Sequence, residues 1–127
     1  MRNRRPLPPG NVPMVTETHH KLALELRMSG EVLIERPTPE AFNTLSKMLA
    51  ALCNAGLTGI DIDLASSTMC LICDRYERVG KIGASPWEAA QLRAALAGID
   101  GQLPRIPVNK FKHAVTEVAL YCASIGA

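Results

Sequence analysis

Two cysteines stand three apart in the stretch STMCLICDRYERVGK, residues 67–81, and a run of alternating charge follows them. On a helix, Cys70 and Cys73 share a face, so both thiolates could ligate one metal ion. A structural zinc site takes four ligands, usually as two such pairs on turns or knuckles. Here the second pair is missing. Cys53 and Cys122 stand alone, and His19 and His20 are adjacent, so on a helix they diverge by about 100°. A reactive C-x-x-C belongs at a helix N-terminus, where the dipole lowers the thiol pKa, and this one falls mid-helix. The cysteines therefore read as small buried hydrophobes filling a helix face. No metal and no cofactor is expected.

Catalytic arrangements are as sparse. Ser66 and Ser67 lack the G-x-S-x-G setting of a nucleophile elbow. His113 and Glu117 share a helical face and could pair as acid and base, but on a surface helix such a pair serves as an ion pair. Asp61 and Asp63 are two apart and face different directions, a poor arrangement for a cation. No glycine-rich phosphate loop is present. The chain reads as non-enzymatic, with no small-molecule substrate evident. In DRYERVGK, Asp74 with Arg78 and Glu77 with Lys81 are i,i+4 pairs with the acid first, each adding about 0.3 kcal/mol to an exposed helix.

The elements that carry these residues are helical. Aromatics are scarce (one Trp, two Tyr, two Phe), so a core must be built from Leu, Ile, Val, Ala, Met and Cys, which suits helices better than sheets. TETHHKLALELRMSG predicts a helix to about Met28 with Gly30 as its C-terminal cap. The alternation of Leu22, Leu24, Leu26 and Met28 leaves a hairpin over 22–35 as the rival. Thr38, Pro39 and Glu40 start a second helix with Phe42, Leu45, Leu49 and Leu52 on one face, ended by Asn54-Ala55-Gly56. Thr58 with Asp61 makes a capping pattern for a third. Ile62, Ala65, Met69, Ile72, Tyr76 and Val79 stripe that helix at spacings of 3, 4, 3, 4 and 3, and Gly80 or Gly83 ends it. Ser85-Pro86-Trp87-Glu88 is a full capping box for a fourth, with Ala89, Leu92, Leu96 and Ile99 facing inward. A fifth, from about Asn109, repeats Phe111, Val115, Val118, Cys122 and Ile125, a seam regular enough for bundle packing or for a second copy of the chain.

The 127 residues suffice for one core without staples. The expected architecture is all-α: a compact, bundle-like single domain over 14–127, with the third and fifth helices central. A flexible, disordered arm over 1–13 precedes it, holding four of the nine prolines and Arg2, Arg4 and Arg5. The basic start has no apolar run behind it, so it is not a signal peptide. No window approaches a membrane span, and the expected location is the cytoplasm, with reduced cysteines.

The order HHKLALELRMSG, then FNTLSKMLAALCNAGL, then RYERVGKIGASPWEAAQLRAALAGIDGQL covers roughly residues 19–103. It resembles small all-helical bacterial proteins of prophages and other mobile elements, some labelled Fis-type transcriptional regulators. The resemblance implies an all-α fold, a mobile-element origin and a regulatory role with DNA as the named partner. A Fis-type reader carries a short turn before a basic recognition helix. Here DGQLPRIP separates the last two helices, and the final one ends VALYCASIGA.

Two function classes follow. The first is a small regulatory or accessory protein that binds DNA, with Arg2, Arg4 and Arg5 gripping phosphate and Arg75, Arg78, Lys81, Lys110 and Lys112 forming a basic patch. The net charge of +2 does not by itself call for such a partner. The second is a protein-interaction module, an inhibitor, adaptor or oligomeric scaffold. Its surface would be the Phe111–Ile125 seam, or exposed apolar residues such as Trp87 and Leu120, set against another protein or a second copy.

Overall fold

Five helices and one short 3₁₀ turn account for most of residues 16–126, the part of the chain described by a computed structural model; the arm expected over 1–13 lies outside it. The helices are α1 (Thr16–Glu35), α2 (Pro39–Asn54), α3 (Ile60–Val79), α4 (Pro86–Asp100) and α5 (Val108–Ser124), with the 3₁₀ turn at Leu103–Arg105. No strand occurs among the described residues, so the hairpin rival for 22–35 falls away.

Gly30 does not cap α1. The helix runs through it to Glu35, because Gly30 is buried where a Cβ would overlap the Cδ1 of Leu96 on α4. The glycine is there to let two helices approach, not to end one. α2 begins as expected: the Thr38 hydroxyl accepts from the Ala41 N–H at 3.0 Å, and Pro39 takes the first helical position. The Thr58 cap of α3 is not found. Gly59 holds the capping position at φ 123°, a left-handed conformation that side chains resist, and its carbonyl accepts from the Asp63 N–H at 3.2 Å. Gly80, at φ 76°, ends α3, and the Ser85–Glu88 capping box opens α4 in full.

Leu26 and Leu33 of α1, Leu45 and Leu52 of α2, Ile62 and Ile72 of α3, and Leu92 and Ile99 of α4 are all buried to 2% exposure or less. Each contributes about 1.5–3 kcal/mol of burial free energy to one shared core. α3 packs most extensively on α4, and α1 lies antiparallel to α4 and also against α2. The stripe on α3 outruns this core: Tyr76 and Val79 are exposed. α5 departs from its expected central place. It packs against α2 and, among the described residues, makes no comparable contact with another helix, and its buried residues are Ala114 and Val118. No described helix is long and apolar enough to cross a membrane.

Candidate interaction surfaces

The residues with chemical potential are dispersed or engaged. Cys53 and Cys70 are exposed, and Cys73 and Cys122 half-buried, so the cysteines are not the buried filler their mid-helix positions suggested. α3 buries the line through Ile62, Met69 and Ile72, which leaves Cys70 and Cys73 to the side and outside. The Cys73 thiol lies 3.5 Å from Glu77 Oε1 as donor. Partial burial pushes this thiol up, and the hydrogen bond to Glu77 adds to the shift. Cys53 is raised by burial first and by the charge of Asp63 second. Both therefore hold their protons, the opposite of an activated nucleophile. No cluster of three or more His, Cys, Asp or Glu among the described residues could hold a metal ion.

His19 turns inward, its Nε2 reaching Asp100 Oδ1 at 2.9 Å and the Asp100 carbonyl at 3.1 Å, and so ties the start of α1 to the end of α4. Asp61 lies over Gly98 and accepts from Gln102 Nε2 at 3.0 Å, while Asp63 is exposed. His113 and Glu117 do approach, at 3.5 Å, on the open side of α5. The pairs Asp74–Arg78 and Glu77–Lys81 do not close to ion-pair distance. Exposed partners gain too little from Coulomb attraction to hold long side chains in place, and Glu77 has the Cys73 thiol instead.

The candidate basic residues fall into separate groups. Arg2, Arg4 and Arg5 lie outside the described residues. Arg75 donates from Nη1 to the Gly83 carbonyl at 2.9 Å and from Nη2 to Glu88, so its guanidinium clamps the α3–α4 connection. Arg78 and Lys81 are exposed at the same end of α3. Lys110 lines a polar cleft of about 350 Å³ with Arg105, Gln102 and the Gly56–Thr58 turn, at the other end of α3. The two groups lie toward opposite ends of α3, which is about 28 Å long at 1.5 Å per residue. Lys112 is exposed on α5 but, two residues on, points about 160° away from Lys110.

The apolar surface is more coherent. On α5, Phe111, Ala114, Val118 and Cys122 pack inward toward α2, whereas Val115, Leu120 and Tyr121, with Ile125 just past its end, are exposed by 44–66%. Val115 and Tyr121 project about 60° to either side of Val118, so the apolar arc of α5 is wider than the one helix covering it. A groove follows on each side. The larger, about 470 Å³, has Met48 and Ala51 of α2 as floor, Val115, Val118 and Cys122 as one wall and Leu22 with Glu25 of α1 as the other, with Lys47 at its rim. The smaller, about 290 Å³, lies between Tyr121 and Asn43, Ala50 and Asn54. Of the seam read from the sequence, Phe111, Val118 and Cys122 therefore face α2, Val115 faces the groove, and Ile125 lies free past it. Trp87, at the start of α4, is 61% exposed.

One surface was missed by the sequence reading. α1 exposes Leu24, Met28 and Val32 by 46–57%, while Leu22, Leu26 and Leu33 point into the core. The alternation that suggested a strand is thus a helix apolar on two opposite faces. Glu31 lies beside the outer face, held by Arg93 through two bonds of 2.8 and 2.9 Å; these hydrogen bonds lower the Glu31 pKa. The chain matches no family model, no curated protein and no solved structure.

Proposed function

We propose that this chain is a non-enzymatic protein-interaction module, with the α1–α2–α5 groove as its docking surface for a partner helix. The observation that carries the reading is the uncovered apolar arc of α5. A helix of a closed bundle is covered by two neighbours; among the described residues α5 packs extensively on one, and beside it runs a trough floored by Met48 and Ala51. The occupant that fits is an amphipathic helix with aliphatic side chains at i, i+3/i+4 and i+7. It would carry an acid toward Lys47 and a base toward Glu25, the two charges at the rim. A regulatory or accessory role of the kind mobile elements encode is consistent with this, through a protein rather than through DNA.

The test is selection of helical peptides from a display library on the whole protein, followed by methyl NMR of the bound state. Binders that shift the Leu22, Val115 and Val118 methyls and lose at least tenfold in affinity on Ala119→Arg support the groove. Binders that map elsewhere, or ignore that substitution, refute it.

A second reading, DNA binding, draws on the cleft where Lys110 and Arg105 converge. It predicts affinity for random duplex DNA that falls steeply with salt and weakens when residues 1–13 are removed or Lys110 is replaced by Ala. No binding at low salt ends it.

A further inference from the structure

The outer face of α1 carries a pattern that selects its own partner. Lys21, Leu24, Met28, Val32 and Glu35 recur at spacings of 3, 4, 4 and 3. At 100° per residue they stay within about 40° of Met28 on the helix surface. All five are exposed, the three apolar ones by 51%, 57% and 46%. The spacing is symmetric about Met28, and the two ends bear opposite charges. An antiparallel copy placed on a two-fold axis at Met28 sets residue 28−k against residue 28+k. Met28 then meets Met28, Leu24 meets Val32, and Lys21 meets Glu35 twice, once at each end.

We propose that α1 is a self-association surface, through which two copies of the chain pack antiparallel about a two-fold axis at Met28. Such an isologous contact requires a self-complementary patch, and this one sets apolar against apolar and acid against base. A parallel arrangement would set Lys21 against Lys21 and Glu35 against Glu35. The one like-charge meeting in the antiparallel register is Glu25 with Glu31, about 60° off the centre line, and Glu31 is already neutralised by the two bonds from Arg93. Gly30 lets α1 seat closely on Leu96, and a groove of about 520 Å³ runs beside the face between Met28 and Val32 of α1 and Arg93 of α4. The interface shares only Glu25 with the α5 groove, and its apolar residues Leu24, Met28 and Val32 lie outside that groove, so it stands whether or not the groove binds a helix.

From Lys21 to Glu35 the contact runs about 21 Å. One helix pair of this length stays below the roughly 800 Å² per partner of a standard interface, so the dimer belongs to the weak, concentration-dependent class. Sedimentation equilibrium of the whole protein from about 10 μM to 1 mM tests it, with circular dichroism confirming that each variant folds. The expected result is a monomer–dimer equilibrium that Met28→Glu abolishes. Lys21→Glu alone and Glu35→Lys alone should each weaken it about tenfold, since two attractive pairs become repulsive, and the double reversal should restore it to within about threefold. A monomer throughout the range overturns the proposal, as does a dimer indifferent to Met28→Glu. Failure of the double reversal to rescue overturns the antiparallel register.

Discussion

Glu88 shows how one side chain serves two purposes. Its Oε1 accepts from the Ser85 N–H at 2.9 Å to complete the capping box, and its Oε2 accepts from Arg75, all at 3% exposure. The Arg75 hydrogen bond is the main reason the Glu88 carboxyl sits below the ordinary carboxylate range; burial works the other way, and the Ser85 N–H reinforces the lowering. With the folded pKa below the unfolded value of about 4.3, the stability this charge contributes is complete above that value. It is lost as pH falls through the folded pKa. Urea denaturation of the wild type and Glu88→Gln from pH 7 to pH 3 should therefore give a stability gap that is widest at pH 7 and closes toward acid. A gap of constant size would show that the carboxylate does not drive it. Ser85→Ala serves as the contrast, costing about 1 kcal/mol as a lost cap at pH 7, where the Glu88 charge is fully formed. The capping half of this arrangement was legible from Ser85-Pro86-Trp87-Glu88, because a cap is local. The Arg75 half was not: Arg75 read as part of a helix-surface charge run, and its partner lies 13 residues away across a turn.

Among elements, the glycines separate what sequence spells out from what only packing decides. Gly80 ends α3 at positive φ, as a glycine after a periodic stripe suggests. Gly30 follows an equally plausible run yet lies mid-helix, because its reason is Leu96, 66 residues further along the chain. In an exposed helix Gly→Ala gains about 1 kcal/mol. At Gly30 the added methyl meets the Cδ1 of a Leu96 that is itself 3% exposed and hemmed in, so Gly30→Ala should instead destabilise by about 1–3 kcal/mol. Leu96→Ala in the same chain should recover part of that loss, a coupling that a double-mutant cycle in urea measures. Simple additivity would mean the two do not touch. Gly98 is the control. A Cβ there meets the carboxylate of Asp61, which is half-buried and can swing toward water, so Gly98→Ala should cost less than Gly30→Ala and chiefly break the bond from Gln102. The α1 surface was hidden in the sequence for a related reason: Leu22, Leu24, Leu26 and Met28 alternate like a strand, and only the neighbours on both flanks reveal two apolar helix faces.

At the scale of the whole described chain, the five helices of residues 16–126 are unequal. α1 to α4 share a core in which each contributes at least two side chains of 2% exposure or less, whereas α5 adds only Ala114 and Val118 and rests on α2. Of the seam Phe111, Val115, Val118, Cys122 and Ile125, the first, third and fourth pack inward while Val115 and Ile125 are exposed; a period cannot say how many neighbours cover a face, which is why α5 read as central. Its actual place predicts a hierarchy of opening. A helix held by one neighbour can detach at the cost of uncovering one face of α2 while the packing among the other four stays in place, so its amides should exchange through a sub-global step below the free energy of complete unfolding. Val118→Ala removes two methyl groups from that single contact and should lower the protection of residues 108–124 by about 1 kcal/mol. The amides of α3 should keep theirs. Leu92→Ala, at 0% exposure in the shared core, should instead lower α3 and α4 by about 2–5 kcal/mol and α5 only when global stability drops beneath its own opening energy. Native-state hydrogen exchange resolves the two. Equal loss in α3 and α5 on Val118→Ala would make the five helices one cooperative unit, and the groove beside α5 a fixed trough. Selective loss in α5 would make that groove adjustable, able to widen for a partner helix at a cost well below unfolding.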